Sequence, residues 1–117
     1  MAAVFGCWTS ASRKAVLPVF EKENGLLYYP TFYEGLEQSK NVFYTGQEAT
    51  QQILAGLDWV AKEKKAKTFF LIGSDYIWPR TSHQIARKHM EHVCHGSVWG
   101  EESDPLDPPQ SVPFVQY

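Results

Sequence analysis

AAVFGCWTSASRKAVLPVF, residues 2–20, carries two different periods joined at one glycine. The apolar run Ala2–Phe5 reads as a buried strand that ends at Gly6. Beyond it, Val16, Leu17 and Phe20 recur at helical spacing up to about Glu23, with Ser10 placed to cap the helix. Pro18 sits inside that helix and predicts a kink or a restart, and Asn24-Gly25 supplies a stop. A strand that hands over to a helix is the first half of a βα unit. A turn needs one or two small polar residues, yet this one holds Cys7, Trp8, Thr9, Ser10 and Ser12. The surplus of chemistry marks a candidate site.

Working outward, LLYYPT (26–31) predicts a strand halted at Pro30, and NVFYT (41–45) a second short one. Residues 47–65 predict a helix whose apolar face is Ile53, Leu54, Leu57, Val60 and Ala61, with a lysine-rich end that suits the negative pole of its dipole. TFFLIGS (68–74) is an unbroken apolar run, as in parallel strands covered on both faces. DYIWPR then reads as a loop, a helix is expected from about Thr81 to His95 with a stop at Gly96, and SVWGE as a last strand. This alternation predicts an α/β fold, a mainly parallel three-layer sheet. In such folds ligands sit at the carboxyl ends of strands. Three polar-aromatic clusters occupy those ends: CWTS, YPTFYEG and SDYIWPR.

Charge and composition remove several function classes. Net charge is −2 and the basic residues are scattered apart from the run between Lys62 and Lys67, so no nucleic-acid surface or polybasic membrane patch is expected. No apolar stretch approaches the ~18 residues that span a bilayer, and the first residues lack the pattern of a signal peptide. Cys7 and Cys94 lie far apart and read as free thiols, which leaves the compartment undetermined. SDPLDPPQSVPF (103–114) holds four of the seven prolines and reads as an extended or disordered tail.

Each candidate has two readings. Thr9 and Ser10 are ordinary caps, or, with the orphan N–H groups of a helix start, a polar cradle for a small carbonyl or anion. Trp8 adds an apolar wall. Tyr28 and Tyr29 point to opposite faces of a strand, so one is core and the other is free, and Thr31 presents a hydroxyl beside Ser10 or belongs to a plain turn. In extended backbone Tyr76 and Trp78 share a face, lining a pocket or packing on the next helix. Cys7 has no histidine near it in sequence and reads as structural, so no enzyme is expected. His89, His92 and His95 stand at i, i+3 steps beside Cys94 but drift by about 60° per step toward solvent. They read as a solvated face, with no metal and no cofactor.

Taken together, residues 6–37, NVFYTG and FFLIGSDYIWPRTS resemble the type I periplasmic-binding-protein family over residues 1 to about 102. The branch they resemble contains the urea ABC-transporter binding protein and the amide-sensing regulator of amidase operons. Two α/β lobes close on the ligand there, and the resemblance implies that Trp8, Ser10, Tyr29, Thr31 and Trp78 face it. The amide-sensor pattern has tyrosine where this chain has Trp8 and Trp78, and Trp8 looks more like the urea-transporter pattern. The implied ligand is therefore urea or a small uncharged amide, with an ABC permease as partner of the full-length parent. The location implied is periplasmic for a transporter and cytoplasmic for a sensor. Family members are far longer, so the chain reads as a fragment: 1–46 part of lobe one, 47–102 the start of lobe two, and 103–117 a tail. The open edges of a partial sheet would favour a homo-oligomer. The competing reading is a small α/β interaction module without a ligand.

Overall fold

Val4–Phe5 (β1) pairs in parallel with Leu27–Tyr29 (β2), and β2 pairs in parallel with Val42–Tyr44 (β3). The helix Ser10–Lys22 (α1) makes the crossover between β1 and β2. A second sheet has two parallel strands, Thr68–Ser74 (β4) and Ser97–Asp104 (β5), joined by the helix Ile77–His92 (α3). Between the sheets lie a π-helical turn, Thr50–Leu54, and the helix Ala55–Glu63 (α2). The computed structural model describes residues 3–105. The fold is mixed α/β with parallel strands, as the alternation predicted, and it is a partial domain.

Leu27, Tyr29 and Val42 form the centre of the first core, with Val16, Leu17 and Phe20 of α1 packed on them. Tyr28 takes the opposite face, between the rings of Phe5 and Phe43 at centroid distances of 4.7 and 4.9 Å. That face is bare: Phe5 is 74% exposed. The expected buried strand at 2–6 is thus an exposed edge among the described residues, because β1 has β2 on one side and no described helix over its outer face. β4 departs in the same way. It is half-buried in alternation, with Phe70 and Ile72 exposed, since only the α3 side is covered. The radius of gyration is 17.1 Å, against about 13 Å for a compact chain of this length.

Several boundaries move for local reasons. Thr9, not Ser10, caps α1: its Oγ1 accepts the Ser12 N–H at 3.0 Å, which leaves Ser10 as the first helical residue. Helix α1 runs through Pro18 as one element instead of restarting there. Its exit is at Asn24, with φ of 47°, and Gly25 N–H closes the turn on the Phe20 carbonyl. The helix expected over 47–65 begins as a π turn and becomes α-helical only at Ala55. IWPR is not a loop but the first turn of α3, where proline's missing N–H has no intrahelical acceptor to lose. α3 therefore starts four residues before Thr81 and ends at His92, three before His95. β5 continues past Glu101 to Asp104, so Ser103 and Asp104 belong to a strand and not to the tail. Residues 106–117, the rest of that expected tail, lie outside the described residues, as do Met1 and Ala2.

The candidate cleft at the strand ends

The hydroxyls after β1 divide their work. Thr9 caps the helix, and Ser12 donates to the Thr9 carbonyl at 2.8 Å. Ser10 is left over and buried, with its Oγ accepting from the Arg13 guanidinium at 3.3 Å. Its own hydroxyl hydrogen remains available. Beside it, the Ser10 and Ala11 N–H groups open the helix without intrahelical acceptors.

Pro30 stops β2, and the two residues that flank it turn toward the same place. Tyr29 donates its hydroxyl to the Trp8 carbonyl at 2.8 Å, and Thr31 donates to the Cys7 carbonyl at 3.3 Å. Both oxygens keep lone pairs to accept with. Cys7 itself is left-handed, with φ of 68°, and this turns its carbonyl and that of Trp8 toward β2. From the other sheet, Tyr76 and Trp78 come in at the start of α3, and Trp78 packs on Phe32 at a centroid distance of 4.8 Å. Together Trp8, Thr9, Ser10, Tyr29, Thr31, Phe32, Tyr76 and Trp78 line one cavity of about 20 Å³. A cavity that size admits a water or a small group, not a bulky side chain. Trp8 is 80% exposed and forms a rim more than a sealed wall.

Residues 8, 10, 29, 31 and 78, singled out from sequence, all lie on this cavity. What the sequence concealed is the support beneath it. Arg13 is fully buried under the site, stacked over Tyr29 at 4.8 Å and near Tyr33 and Tyr44. It pairs with Glu34 at 3.0 Å and Glu37 at 2.8 Å. Burial alone would lower its pKa, but the hydrogen bonds it donates to Glu37 and Glu34 outweigh this and raise it, so the charge is permanent. Burial and the Glu37 carboxylate likewise push the Tyr44 phenol up. Glu34 and Glu37 stand at i, i+3 in a loop, and only that spacing hinted at a shared cation. Gly46 was missed too. A methyl group there would collide with the Thr31 backbone, so this glycine lets the segment that leaves β3 lie against Thr31.

Among the described residues, the lining has no histidine, cysteine or carboxylate, and no side chain charged at neutral pH. It sets hydroxyl groups between aromatic rings. Cys7 lies outside the lining.

Parallel α/β units whose strand ends meet in a small neutral cleft define the class. Within it, the chain belongs to the periplasmic binding protein domain family, whose profile matches residues 1–112. A crystal structure of an ABC-type branched-chain amino acid transporter from Rhodopseudomonas palustris CGA009 is similar, with a TM-score of 0.57 and 19% identity. The match covers 86% of this chain and 28% of that one. At that identity the likeness speaks for the fold. The chain spans less than a third of that protein's length.

Proposed function

We propose that this chain supplies the ligand-contacting part of a solute receptor for urea or a short-chain amide. In the parent it would deliver the solute to an ABC permease. Residues 1–46 would belong to one lobe and 47–102 to the next, with the crossing near Gly46. The observation that carries the reading is the neutral lining of the cleft. An amino acid brings an ammonium and a carboxylate, and each would lose water there without a countercharge. An amide or urea brings one carbonyl and N–H donors. Ser10 and the first turn of α1 can donate to the carbonyl, while Thr31 and Tyr29 oxygens can accept the N–H. The enclosed space holds one carbonyl- or amine-sized group, so the rest of the ligand would reach toward the exposed Trp8 rim.

A cytosolic amide sensor would use the same residues, and ligand preference separates the two. Competition between urea, acetamide and leucine for the folded chain tests the proposal. Urea or acetamide should bind and leucine should not. Binding of leucine in preference to both would overturn the reading. The bare aromatic face of Phe5, Tyr28 and Phe43 favours a second reading, an interaction module covered by protein. That reading gains if neither neutral ligand binds and the chain associates with itself in solution.

A further inference from the structure

We propose that Asp58, His89 and Cys94 form a binding site for a zinc-type divalent cation. Asp58 comes from α2, His89 from the last turn of α3, and Cys94 from the reversal that follows. That reversal is specific: His95 is left-handed at φ of 52°, and Gly96 N–H bonds back to the Met90 carbonyl at 2.9 Å. It returns Cys94 to the side of His89. One ligand atom from each of the three residues lies within 4.8 Å of the others. His89 Nε2 is 2.6 Å from Asp58 Oδ1, and Cys94 Sγ is 3.6 Å from the same oxygen. Tetrahedral zinc with bonds near 2.0–2.3 Å sets its ligands roughly 3.3–3.8 Å apart. The Asp58–Cys94 edge already has that length, and the Asp58–His89 edge needs a small carboxylate rotation.

The donor set selects the metal. One sulfur, one imidazole nitrogen and one carboxylate oxygen suit zinc or cobalt, and magnesium and calcium poorly. A depression of about 270 Å³, bordered by Lys62, Lys67 and Val93, opens on Asp58 and Cys94 and would leave a fourth position for water. The lysines would face a neutral complex, since carboxylate and thiolate together cancel the dication. On binding, the S–H bond breaks, its proton leaves to solvent, and a sulfur–metal bond forms with no change of oxidation state. His89 then carries its proton on Nδ1 so that Nε2 can coordinate. His92 and His95 are exposed and stand outside the group. Along α3 the group lies about 16 Å from Trp78, at 1.5 Å per residue, so it is separate from the cleft.

Cobalt(II) added to the reduced full chain should give a thiolate charge-transfer band that saturates at one equivalent and is displaced by zinc. Cys94→Ser should abolish the band. Asp58→Asn and His89→Gln should weaken binding by more than the roughly 10–100-fold loss seen when a residue that only supports a ligand is changed. His92→Gln should change nothing. Peptide-mapped alkylation of the unmutated chain removes any dependence on how the variants fold: zinc should slow labelling of Cys94 and leave Cys7 unchanged. Absence of both the band and the protection at micromolar metal overturns the site. So does a band that survives loss of Asp58 and His89, because a lone thiol would then explain it.

Discussion

The phenol of Tyr29 donates to the carbonyl of Trp8 across 2.8 Å, so the end of β2 holds the loop that opens α1. This half-buried bond, with that from Thr31 to the Cys7 carbonyl, ties two of the cleft's three walls together. Replacing Tyr29 with phenylalanine leaves the ring under Arg13 but strands the Trp8 carbonyl. The expected cost is about 1–2 kcal/mol of stability, measured by thermal unfolding of the variant beside the parent chain.

Gly46→Ala places a methyl group against the Thr31 backbone. Overpacking of this kind costs on the order of 1–3 kcal/mol, and here it displaces a cleft residue as well. Both the thermal midpoint and amide binding should fall. Gly56, with open space where its Cβ would go, is the control: Gly56→Ala in helix α2 should raise stability by up to about 1 kcal/mol.

Glu37 supplies a pH dependence. Burial would raise its pKa, but hydrogen bonds from Arg13 and Tyr44 prevail and hold its carboxyl below the ordinary value of 4.5. A depressed folded-state pKa gives stability that is present above the unfolded value and lost as pH falls through the folded one. Glu37→Gln should therefore cost most near neutrality. The gap between the two melting temperatures should narrow as pH falls from about 6 to about 3. A gap that stays constant over that range would mean Glu37 is no better paired than in the unfolded chain.

Much of this could be read from the chain because short-range signals agree. The switch from apolar run to helical period at Gly6, and the stop at Pro30, locate β1, α1 and β2, while Gly96 marks the reversal after α3 and not its last residue. Period two in LYY puts Tyr28 and Tyr29 on opposite faces without saying which is inward; the structure buries Tyr29. Pro79 misled because proline also ends helices, and only its place in the first turn makes it harmless. Arg13 could not be recognised as buried, since its partners Glu34 and Glu37 are more than twenty residues away. Asp58 is 31 residues from His89, so no local spacing could join them. TFFLIGS promised two covered faces, but a strand's composition does not state which neighbours this chain supplies.

Trp8 separates binding from folding. At 80% exposed it contributes little to the core, so Trp8→Ala should shift stability by no more than about 0.5 kcal/mol. The same change removes the cleft's rim and should weaken amide binding several-fold. Thermal melts and ligand titrations on one preparation check both halves.

The most direct test of the account is a backbone and indole amide NMR titration of the chain with urea, and with acetamide in parallel. Each ligand has four heavy atoms, and at a ceiling near ~1.5 kcal/mol per atom the best possible affinity is about tens of micromolar. An open rim pushes it toward millimolar. Shifts should concentrate on Trp8, Ser10, Thr31 and the Trp78 indole, saturate, and be lost in Ser10→Ala and Thr31→Ala, while leucine gives none. Shifts that are uniform across the chain and do not saturate, or that leave these four residues unmoved, would contradict it.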